Sequence, residues 1–131
     1  MDFLTCTVVI GAGATAVMDL WTVVRARLLG GRMPDYAWLG RWLAASRAAP
    51  YERAIGWAAH YFIGMTFAAV LLAIWGVEWA RQPTLAPALI VGIGSVAAPI
   101  LIGTARLQSL VTHAVFGFGL YSAAWLPYPL I

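Results

Sequence analysis

Four stretches of mostly apolar residues follow one another along the chain, separated by more polar segments. Each is close to the length of about 20 residues that an α-helix needs to cross the hydrocarbon core of a bilayer. The pattern therefore predicts an all-α integral membrane bundle of four transmembrane helices, at about residues 4–24, 54–75, 84–103 and 107–126. We expect these helices to form a single transmembrane domain over residues 1–131.

The longest polar segment follows the first predicted span and contains its own apolar face. Pro34 suits the first turn of a helix. The apolar residues that follow fall on one side at helical spacing: Trp38, Leu39, Trp42 and Leu43. This pattern predicts a short amphipathic helix at about residues 34–47 that lies in the membrane interface. A helix that binds a partner protein is the alternative.

The third predicted span contains residues that usually interrupt a soluble helix: Pro87, Gly92, Gly94 and Pro99. Inside a membrane, neighbouring helices and side chains can satisfy the backbone groups that such residues leave free. We therefore expect kinks and close helix contacts in this span rather than its end.

The first predicted span contains a glycine pattern, G-x-G-x-x-A at Gly11, Gly13 and Ala16, that is similar to a dinucleotide-binding turn. No βαβ pattern follows, and the apolar run continues past it. Close helix packing explains these small residues better. The run is preceded by no basic segment, which favours a retained helix over a cleaved signal peptide.

Composition agrees with a membrane location. Of the 131 residues, 63% are hydrophobic and 10% are charged, and the mean hydropathy is +0.84. This is far too apolar for a soluble domain of this size. We expect the lipid bilayer to be the main partner and expect no binding to nucleic acid. The Gly-rich helix faces could also join copies of the chain into a homo-oligomer.

The charged residues predict an orientation. All eight basic residues are arginines, and seven of them lie in the first and third loops or at their edges: Arg25, Arg27, Arg32, Arg41, Arg47, Arg53 and Arg106. The second loop contains only Arg81. By the positive-inside rule the first and third loops face the cytoplasm, so that both termini lie outside it.

Three ionisable side chains lie inside the predicted spans: Asp19, His60 and His113. Each is six or seven residues from the arginine at the cytoplasmic end of its span, so all three lie roughly 10 Å inside that boundary at 1.5 Å per residue. Their neighbours at four-residue spacing are mostly small or polar: Gly11, Thr15, Gly56, Gly64, Ala68, Ser109, Gly117 and Tyr121. Such faces usually point into a membrane bundle. We expect the three groups to form one polar layer there.

This layer has several possible functions. A charge in hydrocarbon costs about 3 kcal/mol on insertion scales, so buried ionisable groups usually pair or line a pathway. Asp19, His60 and His113 could relay protons, could bind Zn²⁺ or Fe²⁺ through two nitrogens and one oxygen, or could place two histidines on a haem. They could also pair only to fix the packing of the helices.

No HExxH, CxxC, Walker or nucleophile-elbow motif occurs, so nothing predicts a hydrolase or an ATP-driven pump. The sequence therefore leans against an enzyme without deciding the question, and it leaves the cofactor unknown, with a transition metal or haem as the alternatives named above. The prediction is a transport or ligand-binding component that uses Asp19, His60 and His113. The alternative is a structural or accessory membrane subunit.

Several segments resemble a bacterial family of small multi-pass membrane proteins, the domain-of-unknown-function family two-nine-three-eight: Gly11–Trp21, Gly40–Trp42, Gly56–Tyr61, Gln82–Leu85 and Arg106–Gly117. The resemblance covers nearly the whole chain and implies the bacterial inner (cytoplasmic) membrane. It implies no activity, because none is established for the family. The chain departs from the family pattern by a shorter first loop and by a shorter connection between Ile102 and Leu107.

Overall fold

The computed structural model describes residues 2–43, 51–101, 103 and 107–126, and these residues form helices and connecting segments with no β-strand. The predicted all-α fold is confirmed over this part of the chain. The helices are α1 (Phe3–Leu29), α2 (Ala37–Leu43), α3 (Glu52–Trp75), α4 (Leu85–Gly94), α5 (Ala97–Leu101) and α6 (Leu107–Ala124), with a 3₁₀ turn at Val77–Ala80.

Two of the described helices, α1 and α3, are long and apolar enough to cross a membrane. Helix α4 is a shorter apolar helix, and α6 follows at the predicted position of the last span. The helices thus lie where the spans are predicted, while their assignment as four membrane crossings stays a prediction.

Helix α1 extends beyond the predicted span because no residue interrupts it at residue 24. At its start, Asp2 Oδ1 accepts a hydrogen bond from the Thr5 amide at 2.8 Å. The helix ends at Gly30, which has φ of 75° and a conformation that favours glycine. Gly11 and Gly13 lie within this helix, so the glycine pattern of the sequence does not form a turn.

The amphipathic helix of the first loop begins later than the predicted residue 34. Asp35 Oδ1 accepts from the Ala37 amide at 2.9 Å, and α2 starts at that residue. The predicted end at residue 47 lies outside the described residues, as does Arg47. Arg41 of α2 forms an ion pair with Glu52 of α3 at 3.3 Å, so α2 packs against the start of α3.

The third apolar stretch forms two helices rather than one. Helix α4 ends at Gly94, and α5 begins at Ala97 after a turn at Ser95 and Val96. Pro99 explains the break, because it has no N–H to donate to the Ser95 carbonyl four residues earlier. The prediction that these residues kink the helix without ending it is therefore wrong, because α4 ends at Gly94.

Small residues mark the places where helices approach most closely. Helix α1 packs against α3 and α6, and α4 packs against α6. A Cβ atom on Gly11 would overlap the backbone of Met65, and one on Gly92 would overlap the backbone of Gly117. These glycines serve contacts within the chain.

Candidate functional site

Asp19 of α1 and His60 of α3 meet inside the bundle. His60 Nε2 lies 2.9 Å from Asp19 Oδ1, and both residues are 8% exposed. Their helix faces carry Gly11 and Gly64, where an added Cβ would overlap atoms of the opposite helix. The close approach of α1 and α3 therefore allows direct contact between the carboxylate and the imidazole.

Tyr36 covers this pair from the segment between α1 and α2. Its hydroxyl donates to Asp19 Oδ1 at 3.1 Å. Its ring stacks on the His60 imidazole, with ring centroids 3.8 Å apart and planes 15° from parallel. Burial, followed by the negative charge of Asp19, raises the pKa of the Tyr36 hydroxyl well above its usual range. Tyr36 therefore remains a neutral hydrogen-bond donor at physiological pH.

The hydrogen bonds to Asp19 determine which nitrogen of His60 is available to exchange a proton. A carboxylate oxygen accepts, so His60 Nε2 carries the shared hydrogen, and Nδ1 is left to gain or lose a proton. No described residue forms a hydrogen bond with His60 Nδ1. The contact with Asp19 therefore fixes the orientation of the His60 imidazole.

The second oxygen of Asp19 has no hydrogen bond. Asp19 Oδ2 is buried and has no partner among the described residues. Tyr61 also lies near Asp19 and interacts with its charge. An unpaired buried carboxylate oxygen is costly, and a donor from a bound molecule would remove that cost.

His113 of α6 does not contact Asp19 and instead pairs with Ser95. Ser95 Oγ lies 2.6 Å from His113 Nδ1 and donates to the Gly92 carbonyl at 2.5 Å. A serine hydroxyl has one hydrogen, so Ser95 Oγ accepts from Nδ1–H of His113. The basic nitrogen of His113 is therefore Nε2.

A cavity of about 70 Å³ lies between the two histidines. Its wall includes His60, His113, Ser95, Met18 and Phe67. A water molecule needs roughly 10–15 Å³ of such volume, so the cavity can hold a few waters or one small ligand. The cavity is smaller than the pockets of about 300–1,000 Å³ that hold drug-sized ligands.

The structure thus divides the predicted polar layer into two pairs on either side of a cavity. Asp19 and His60 are in contact, whereas His113 lies across the cavity with its own partner. Among the residues that the structure describes, no group of three or more His, Cys, Asp or Glu side chains could hold a metal ion. The role of these residues stays a prediction.

Sequence analysis missed two members of the site, Tyr36 and Ser95. Tyr36 lies in a loop, and hydrophobic periodicity gives no information on where a loop side chain packs. Gly56 offered an indirect signal, because a Cβ there would overlap the Tyr36 carbonyl. Ser95 could have been noticed as the hydroxyl that follows Gly94 in a stretch expected to kink.

The fold and the site together define a small all-α bundle with a carboxylate–imidazole pair at a contact between two apolar helices. The sequence profile described as "Protein of unknown function (DUF2938)" matches residues 8–104, about three quarters of the chain. The chain belongs to this family. No curated protein and no solved structure matches it.

The matched segment contains most of the site. It includes Asp19, Tyr36, His60 and Ser95, whereas His113 lies beyond its end at residue 104. The resemblance proposed for Arg106–Gly117 thus lies outside the matched residues. The match therefore covers the Asp19–His60 pair and ends before His113.

Proposed function

We propose that this chain is a small multi-pass protein of the bacterial inner membrane, in which the Asp19–His60 pair and His113 form a proton-binding site of a transport or ligand-binding component. In this proposal α1, α3, α4–α5 and α6 are the four spans, and α2 lies in the interface. The arginine-rich first and third loops face the cytoplasm, and the termini lie outside it.

Outward-facing apolar side chains support the membrane location. Phe62 of α3 is 70% exposed, Leu20 of α1 is 64% exposed and Ile90 of α4 is 60% exposed. Only 28% of the most apolar window of α3 is buried inside the bundle, unlike the core helix of a soluble protein. Lipid is the solvent in which such surfaces are stable.

The buried pair supports a role beyond packing. One buried oxygen of Asp19 has no hydrogen-bond partner among the described residues. In each histidine, one ring nitrogen forms a hydrogen bond and the other remains basic. Both histidines line the same cavity, which can hold a few waters. A proton taken up at His60 Nδ1 is stabilised by the Asp19 carboxylate, and water in the cavity would connect it to His113 Nε2.

The observation that carries this proposal is the 2.9 Å contact between Asp19 and His60 beside a cavity that His113 also lines. Proton flux into proteoliposomes, followed with an enclosed pH-sensitive dye under an imposed membrane potential, tests it. We expect flux above that of empty liposomes, and we expect His60→Asn and His113→Asn to reduce it at least tenfold.

Gln108→Asn is the matched control, since Gln108 is an exposed polar residue of the same helix as His113. It should leave the flux unchanged. Thermal unfolding of each variant in detergent distinguishes loss of the proton pathway from loss of the fold. Wild-type flux equal to that of empty liposomes would contradict the proposal.

A structural or accessory subunit is the second candidate, and one observation favours it. Each polar pair ties two helices together, because Asp19–His60 joins α1 to α3 and Ser95–His113 joins α4–α5 to α6. For this candidate, His113→Ala should lower stability by about 1 kcal/mol through loss of an interhelical hydrogen bond and leave proton flux unchanged.

A further inference from the structure

A second recess lies outside the helix bundle, on the side where the arginines gather. It is a groove of about 560 Å³ lined by Arg32, Met33, Pro34, Asp35, Arg53 and Trp57. We call it the Arg32–Arg53 groove. Two chain segments form it, the connection between α1 and α2 and the first turns of α3. It is therefore separate from the cavity between His60 and His113.

The residues that line the groove have a net positive charge, with two arginines against one aspartate. Neither Arg32 nor Arg53 has an ion pair or hydrogen bond with a described residue, whereas Arg41 and Arg81 are paired with Glu52 and Glu78. Asp35, the acidic residue of the groove lining, accepts the Ala37 amide hydrogen through Oδ1, which fixes its position beside the two arginines.

The position of Arg53 strengthens the attraction for an anion. It is the second residue of α3, where free backbone N–H groups and the helix dipole add positive potential. Guanidinium groups bind phosphate oxygens through paired hydrogen bonds. Trp57 adds an aromatic wall of the kind found at headgroup level in membrane proteins.

We propose that the Arg32–Arg53 groove binds a phosphate group, carried by an anionic lipid headgroup or by a free phosphate compound. Arg32 and Arg53 supply the charge, and Trp57 contacts the less polar part of the ligand. Trp57 also packs edge-on against Tyr36, with ring centroids 4.9 Å apart. A ligand that contacts Trp57 therefore touches the ring that packs against Tyr36, whose hydroxyl donates to Asp19.

The lipid form of this proposal rests on the proposed membrane location, whereas the free-phosphate form does not. Two arms separate these sources. In the first, native mass spectrometry measures how much phosphatidylglycerol stays bound after transfer from mixed phosphatidylglycerol–phosphatidylcholine nanodiscs. In the second, ³¹P NMR measures binding of inorganic phosphate to the protein in nanodiscs of phosphatidylcholine alone.

The test variants are Arg32→Gln, Arg53→Gln and the double variant. Each single change should weaken phosphate or phosphatidylglycerol binding about fivefold, the usual effect of one basic residue near an anionic surface. Arg27→Gln is the matched control, because Arg27 is exposed at the same end of the molecule but does not line the groove. It should leave binding unchanged.

Retention of phosphatidylglycerol that depends on Arg32 and Arg53 supports a lipid ligand, and the same dependence for inorganic phosphate supports a free one. Equal weakening by Arg27→Gln would indicate general surface charge and overturn the proposal, as would unchanged binding in the double variant. Because these arms do not measure proton flux, their failure is distinguishable from failure of the proposed function.

Discussion

Asp19 uses one carboxylate oxygen twice and leaves the other unbonded among the described residues. Oδ1 accepts from Tyr36 and contacts His60, while the buried Oδ2 has no partner. The recorded hydrogen bonds to Asp19 are thus concentrated on one oxygen, while Tyr61 also interacts with the Asp19 charge. This asymmetry, more than the presence of a charge in an apolar helix, distinguishes the site from a fully satisfied structural pair.

A double-mutant cycle tests the pairing. We expect Asp19→Ala and His60→Ala to be non-additive, with an interaction free energy of about 1–3 kcal/mol, because the two side chains are in direct contact. The measurement is the free energy of unfolding in detergent for the wild type, both single variants and the double variant.

Asp19→Ala combined with His113→Ala is the matched control, since the Asp19 and His113 side chains are not in contact. Their effects should add to within about 0.5 kcal/mol. Additivity in both cycles would mean that the Asp19–His60 contact contributes nothing to the fold.

The Tyr36 hydroxyl gives the site a dependence on alkaline pH. Its pKa is raised in the folded state, so folding favours the neutral phenol, and stability is lost as pH rises above the unfolded value of about 10. We expect Tyr36→Phe to be less stable at neutral pH by roughly 1–3 kcal/mol, through loss of a hydrogen bond to a charged group.

The decline in the thermal midpoint above pH 10 should also be shallower in Tyr36→Phe than in the wild type. Tyr51→Phe serves as the control, because Tyr51 is 65% exposed and should leave the pH profile unchanged. Identical profiles for the wild type and Tyr36→Phe would show that folding does not raise the pKa of the Tyr36 hydroxyl.

The inward direction of Asp19 and His60 was predictable because helical spacing relates them to Gly11, Thr15 and Gly64, all of which are buried. Their partners were not predictable in the same way. Tyr36 reaches the site from an irregular segment, and Ser95 does so because α4 is interrupted beside Gly94. Periodicity describes the faces of regular helices and carries no information on such side chains.

At the scale of the helices, two glycines of α4 that lie two positions apart have opposite expected effects on stability. Gly92 faces the backbone of Gly117 on α6, where a Cβ would overlap, whereas Gly94 has no atom within 4 Å of an added Cβ. We expect Gly92→Ala to push α4 and α6 apart and to cost about 1–3 kcal/mol by overpacking.

Gly94→Ala is the control, and it should be neutral or should stabilise the protein by up to about 1 kcal/mol through the higher helix propensity of alanine. Thermal unfolding of both variants in the same detergent provides the measurement. Equal stability of the two variants would contradict the close packing of α4 on α6.

Helix positions followed from the sequence, while several helix ends did not. The predicted span ends at residue 24, just before Arg25 and Arg27, whereas α1 continues to Leu29. The helix ends at Gly30, in the Gly30–Gly31 pair that indicates a turn in the sequence. The break between α4 and α5 follows from Pro99, which has no N–H to donate to the carbonyl four residues earlier. The apolar content of the stretch does not reveal where that hydrogen bond is missing.

For the whole molecule, the proposed function requires that lipid surrounds the bundle. Two helices pass a test of length and composition for membrane crossing, and large apolar side chains cover the outward faces. The arginines predict the orientation of the bundle in the membrane. The Arg32–Arg53 groove and Tyr36 lie on the side of the first loop, which is predicted to face the cytoplasm.

Cysteine labelling in membranes tests directly whether the bundle crosses the membrane, with its first and second loops on opposite sides. In a Cys6→Ala background, Met33→Cys and Gln82→Cys each place one thiol at an exposed position, the first in the first loop and the second in the second loop. Spheroplasts of a bacterial host that express each variant are treated with a membrane-impermeant maleimide, before and after permeabilisation.

We predict that Gln82→Cys is labelled in intact spheroplasts and that Met33→Cys is labelled only after permeabilisation, with both variants recovered in the membrane fraction. Labelling of both cysteines from the same side, or recovery of the protein in the soluble fraction, would contradict a bundle that crosses the membrane and encloses the Asp19–His60 site.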